Sequence, residues 1–159
     1  MAGAAVTCSR TLLSAAQGAS EGNDAVARTA AEGFAAGTAV YLDLEPMATI
    51  PAAMRDYYRA WARALLADGR YRPAVYVHHT NASAVYADLA AVFAAFPGAG
   101  APRVWVARSA GFALTRGPAD AGFAFATAWQ GALDVSRTWA GVTLTVDENV
   151  ADRASPSAP

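Results

Sequence analysis

The sequence predicts an α/β fold, a mainly parallel sheet with helices packed on its faces. Three observations point there. Short strand-like runs alternate along the chain with helical segments, the pattern of strand–crossover–strand units. Residues Met54, Tyr57, Tyr58, Trp61 and Leu65 recur at the spacing of one helical face. The chain is 55% apolar and carries four Trp, a composition that excludes disorder. On the residues alone, a barrel and an open doubly wound sheet both satisfy this alternation.

Each element has its own local reason. A helix is expected over Asp24 to Ala36, with Asn23 or Asp24 as N-cap and Gly37 as stop. Val40-Tyr-Leu-Asp-Leu44 is of strand length and ends before Pro46. Pro51 suits the first turn of a helix that runs to Gly69. Pro73-Ala-Val-Tyr-Val-His78 is the next strand, and a helix over Ala82 to Phe96 follows, capped by Asn81 and stopped by Pro97-Gly98. Arg103 to Arg108, Phe123 to Gln130 and Val142 to Asp147 read as further strands, and Ala4 to Cys8 as one more at the front. The tail from Arg153 to Pro159, rich in Ser, Pro and Ala, is expected to be disordered.

Composition removes several function classes. Alanine supplies 43 of the 159 residues. All 12 basic residues are Arg, and against 13 acidic ones they leave a net charge of −1. That lacks the basic surplus on which nucleic-acid binding draws. A single cysteine, Cys8, excludes an internal disulfide framework and a cysteine zinc cluster, and is read as a small buried thiol. There is no apolar run long enough to span a bilayer. The first ten residues lack the basic n-region of a signal peptide. No phosphate-binding Gly-x-Gly-x-x-Gly or Gly-Lys-Ser/Thr appears, and no Gly-x-Ser-x-Gly elbow is expected, which argues against an α/β-hydrolase.

Asp43 and Glu45 carry the strongest chemical suggestion. They end a strand two residues apart, so their side chains emerge on one face, roughly 6–7 Å apart. In α/β folds the carboxyl ends of strands are where sites are built. Paired carboxylates supply an acid and a base or charge stabiliser, the requirement of glycoside hydrolysis. Asp147 occupies the same kind of position at the end of the last strand. Tyr41, Tyr76, Trp105 and Trp129 lie on strands; aromatics beside carboxylates suit stacking on sugar rings, and core packing is the competing role. Gln130 is a candidate to bind a substrate hydroxyl. His78 shares the inward parity of Tyr76, whereas His78 and His79, as neighbours on a strand, point apart and do not suit a metal. Neither a metal nor a cofactor is expected.

The order of these motifs resembles a known family. Gly37-Thr-Ala-Val-Tyr-Leu-Asp-Leu-Glu-Pro46 is similar to the Asp-x-Glu strand of family-25 glycoside hydrolases, the lysozyme-like muramidases. It is still more similar to the bacterial glycoside hydrolase-like domain of unknown function related to them. The preceding helix, Ala74-Val-Tyr, Val104-Trp-Val-Ala, Trp129-Gln130 and Val146-Asp-Glu-Asn149 follow in the family's order, over about residues 22–152. The resemblance implies a partial (β/α) TIM-like barrel of about six parallel strands with its site at the C-terminal mouth. It implies Glu45 as acid, Asp43 and Asp147 as supporting carboxylates, and a cell-wall, peptidoglycan-type polysaccharide as substrate; a degenerate glycan-binding module is the alternative.

The departures are specific. The family's first strand, which carries an Asp, has no counterpart here, so residues 1–152 are expected to form one N-terminally incomplete domain. Val77 stands where a Ser is expected, and Gly131 where an aromatic often follows Trp-Gln. Open strand edges would favour self-association. Relatives of this kind are often secreted, and the compartment is left unassigned.

Overall fold

A computed structural model describes residues 12–159. The expected strand at Ala4–Cys8, and Cys8 itself, lie outside the described residues. Five strands form one sheet in the order β1-β2-β3-β4-β5: β1 Ala39–Leu44, β2 Arg72–His78, β3 Arg103–Ala107, β4 Ala126–Trp139 and β5 Val142–Ala151. A doubly wound sheet reverses its strand order at a switch point. This order never reverses, and the sheet curls into a half-barrel with β1 and β5 at its edges among the described residues. Strands β1 to β4 are parallel, but β5 pairs antiparallel with β4. The all-parallel expectation is corrected there, while five of the six expected strands lie among the described residues. Only Ala140 and Gly141 separate β4 from β5, too few for a crossover, and both take positive φ (49° and 81°), as a two-residue hairpin turn requires.

Helices α1 (Ala15–Ala31), α2 (Ala52–Asp68) and α3 (His79–Phe93) complete the fold. The stripe Tyr57, Tyr58, Trp61 and Leu65 of α2 is buried as its spacing predicts, and Gly69 ends the helix at φ +80°. Together with Val85, Leu89 and Val92 of α3 it covers Leu44, Val75, Val77, Val104 and Val106 of the sheet. Asp88 of α3 is buried and clamps the two helices, accepting hydrogen bonds from Tyr58, Arg55 and Arg59 of α2.

Helix α1 departs from expectation at both ends. It starts at Ala15 behind Ser14, whose Oγ accepts from the Gln17 N–H at 3.1 Å, and stops before Gly33 (φ +79°), ahead of Gly37. Gly18-Ala-Ser-Glu-Gly22 lowers helix propensity, but these glycines let α1 lie directly on α2. A Cβ on Gly18 would stand 2.1 Å from the Tyr57 carbonyl oxygen, and one on Gly22 2.8 Å from that of Trp61. That stretch spells Gly-x-Ser-x-Gly, yet it lies inside a helix and forms no nucleophile elbow.

No long helix joins β3 to β4. A 3₁₀ turn over Pro118–Ala121 and an aromatic group fill that place, with Tyr86 and Phe125 stacked at 4.0 Å. The segment Arg153–Pro159, expected to be disordered, is placed across the amino ends of the strands. The Ser157 carbonyl accepts from the Ala39 N–H at 2.9 Å, the Pro156 carbonyl from the Tyr41 hydroxyl at 3.1 Å, and the Ala158 carbonyl from Arg103 Nη1 at 2.6 Å. Its free carbonyls meet donors that the sheet leaves open.

Candidate active site at the carboxyl ends of the strands

Strand pleating sorts the side chains onto two faces. Leu44, Val75, Val77, Val104 and Val106 enter the core, so the alternate residues Tyr41, Asp43, Tyr76, His78 and Trp105 occupy the concave face. The register sets Asp43 beside Tyr76 and Tyr76 beside Trp105. Trp105 stands edge-on to both tyrosines, with ring centroids 5.7 Å from Tyr41 and 6.0 Å from Tyr76. Its indole N–H donates to Asn149 Oδ1 at 3.1 Å. These half-buried rings form an aromatic floor, and with Asp43, Glu45 and Gln130 they line a hollow of about 390 Å³.

A second hollow of about 480 Å³ opens at the carboxyl ends of the strands. Glu45, Tyr76, His78, His79, Arg108, Gln130 and Asp147 are among its walls. Glu45 and Asp147 line this hollow and Asp43 the first one, and all three carboxylates are exposed. All three act on one group, the Tyr76 hydroxyl. Burial first, then the charges of Asp43, Glu45 and Asp147, push its pKa above the ordinary tyrosine value. Glu45 lies just past the end of β1, and the loop that carries it is tied down by Asn81. That buried side chain accepts from the Met47 N–H and donates to the Met47 carbonyl, both at 2.9 Å.

Gln130 and Asp147 are committed to a network. Gln130 accepts from the Tyr76 hydroxyl and donates through Nε2 to Asp147 Oδ2 at 2.9 Å. The other Asp147 oxygen accepts from the Asp134 N–H at 3.0 Å. Asp134 sits at φ +55°, where the β4–β5 register shifts. Asp147 therefore holds the irregular part of β4 and orients Gln130.

Two expectations are corrected by geometry. Trp129 is fully buried on the helix side of the sheet beside Val106, its indole N–H donating to the Arg108 carbonyl at 2.6 Å. It is a core residue and lines neither hollow. Trp129 and Gln130 are strand neighbours and must face opposite ways, a signal present in the sequence. His78 and His79 do not point apart. His79 opens α3 with His78 as its N-cap, ahead of the expected Asn81, and their rings lie 4.2 Å apart in the same hollow. Burial, His78 and Arg108, in that order, lower the pKa of His79. Among the described residues there is no group of three or more His, Cys, Asp or Glu that could hold a metal ion.

Sequence reasoning missed Asn81 as a clamp and Arg108 as a wall of the hollow. Arg108 ends a predicted strand and belongs to no chemical motif of the sequence. Gly131 also gains a reason. A Cβ there would fall 1.9 Å from Phe112 Cγ, and Phe112 meets Trp129 edge-on at 5.0 Å. The Phe112 ring fills the space over the glycine.

The family model of the Rv2525c-like, glycoside hydrolase-like domain matches residues 6–151, and the chain belongs to that family. No curated protein and no solved structure matches the chain significantly.

Proposed function

We propose that the protein binds a cell-wall-type polysaccharide along its concave face and hydrolyses it at the carboxylate mouth. The observation that carries this reading is the convergence of Asp43, Glu45 and Asp147 on Tyr76 beside an aromatic floor. Tyr41, Tyr76 and Trp105 offer ring faces and edges to sugar C–H groups. Glu45 is the proton donor to the glycosidic oxygen, Asp43 the carboxylate that takes a proton from water as the water oxygen bonds to the anomeric carbon and the glycosidic C–O bond breaks, and Asp147 the positioning residue of Gln130.

Glu45→Gln tests the assignment on soluble peptidoglycan fragments. Turnover falls at least a hundredfold, the lower bound for general acid catalysis, while binding persists. Turnover equal to the parent's refutes it. A second reading, a binding module without hydrolysis, is favoured by the exposure of Asp43 and Glu45, since neither carboxylate sits in a dry site. Fragments bound but not cleaved by the parent, with binding lost in Trp105→Ala, decide for the module.

A further inference from the structure

The hollow at the mouth carries one cationic side chain, Arg108, that forms no ion pair among the described residues. Arg108 lies just past β3, half-buried, and its own N–H donates to the Gln130 carbonyl at 2.9 Å. Its side chain is held from the other direction, with Nη1 donating to the Ala121 carbonyl at 2.5 Å. Gly122 makes room for this arrangement, since a Cβ there would stand 2.6 Å from Nη1. The guanidinium is thus oriented by backbone groups alone, and no Asp or Glu among the described residues forms an ion pair with it. Arg108 is among the walls of the 480 Å³ hollow with Ser109, His78 and His79 and the carboxylates Glu45 and Asp147, and its charge is felt by His79 there.

A guanidinium fixed through one nitrogen keeps further N–H donors for a planar anion. Removing this charge from water without a carboxylate partner has a cost that a ligand anion offsets. We propose that the sugar taken by this mouth is acidic, carrying a carboxylate that Arg108 binds while Glu45 and Asp43 face the glycosidic linkage. The inference rests on the glycan-binding reading above and narrows its substrate class. Ser109 and the two imidazoles supply further hydrogen-bonding partners around the carboxylate.

The test is calorimetric titration of the full chain with carboxylated oligosaccharides, trimers of galacturonate and oligomers of alternating glucuronate and N-acetylglucosamine, against neutral chitotriose. The acidic sugars bind about tenfold more tightly, in line with one charged hydrogen-bonding contact in a partly wet site. That margin shrinks as sodium chloride is raised, because the contact is screened. Arg108→Gln erases the margin between acidic and neutral sugars, whereas Arg108→Lys keeps part of it, as a charge without the planar fork. Thermal melting of both variants checks the fold; should the Gln variant unfold, the Lys variant and the salt dependence of the parent decide. Equal affinity for acidic and neutral sugars overturns this inference alone. Failure of every sugar to bind overturns the glycan-binding reading with it.

Discussion

Strands β1 to β3 and the outer part of the β4–β5 hairpin are drawn from similar apolar and β-branched residues, yet they end in opposite environments. In the first region each strand is followed by a crossover or sits under one, and α2 and α3 bury Val75, Val77, Val104 and Val106 to 1% exposure or less. In the second, Val135 opposes Val146 and Trp139 opposes Val142, with Leu144 on the same face as Val142. No helix of the described chain covers that face, and Trp139, Val142 and Leu144 are each more than half exposed. The opposite face carries Ser136, Thr138, Thr143 and Thr145, so the arm is amphipathic although one of its faces is bare. Hydrophobic pattern marks which face can be buried, and only the connection between strands supplies what buries it.

The sharpest way to break this contrast is one substitution made in both regions. Leu65→Ala empties a fully buried site under α2 and is expected to cost about 3 kcal/mol in urea unfolding. Asn81→Ala comes next. It removes both hydrogen bonds to Met47 from a buried site, for about 2 kcal/mol, and loosens the loop behind Glu45. Turnover falling while melting shifts only modestly would show Asn81 acting as a positioning residue.

The helix clamp gives a pH signature that the arm lacks. Burial raises the pKa of Asp88, but hydrogen bonds from Tyr58 and Arg59 and the charges of Arg59 and Arg55 outweigh it and hold the carboxyl below its ordinary value. A folded-state pKa below the unfolded one adds stability above the unfolded value, about 3.9. That stability is lost as the pH falls through the lowered folded value. Asp88→Asn is expected to lower the melting temperature at pH 7 and to flatten its decline below about pH 4. A parent and variant with parallel pH profiles would remove Asp88 from the acid response. The smallest effect belongs to the arm: Leu144→Ala shifts stability by less than about 0.5 kcal/mol, because the side chain is 52% exposed before it is cut. A loss as large as that at Leu65 would mean that the arm is covered in solution.

The candidate site was legible where it depended on parity and obscured where it depended on contacts. Asp43, Glu45, Tyr76 and His78 follow from alternation along β1 and β2 and from the position of strand ends. The burial of Trp129 follows from the same alternation, since Gln130 beside it faces the mouth. Nothing local distinguishes Asn81 as a clamp from Asn81 as a helix cap, because its partner Met47 is remote in sequence. Arg108 is equally opaque: its partners are backbone carbonyls of Gln130 and Ala121, which any residue type would provide. The full extent of α1 was hidden by Gly18 and Gly22, whose low propensity is overridden by close contact with α2.

By itself the sequence determined the α/β class, the buried stripe of α2, most of the strands and the placing of two carboxylates at one strand end. These depend on periodicity and on stop residues, which act over a few positions of chain. The tertiary structure decided the antiparallel turn-back of β5, the tail across the amino ends of the strands, the bare arm, the pairing of the two histidines and the backbone-held Arg108. Those features arise from groups that are distant along the chain and adjacent in space, and no local pattern records such a meeting.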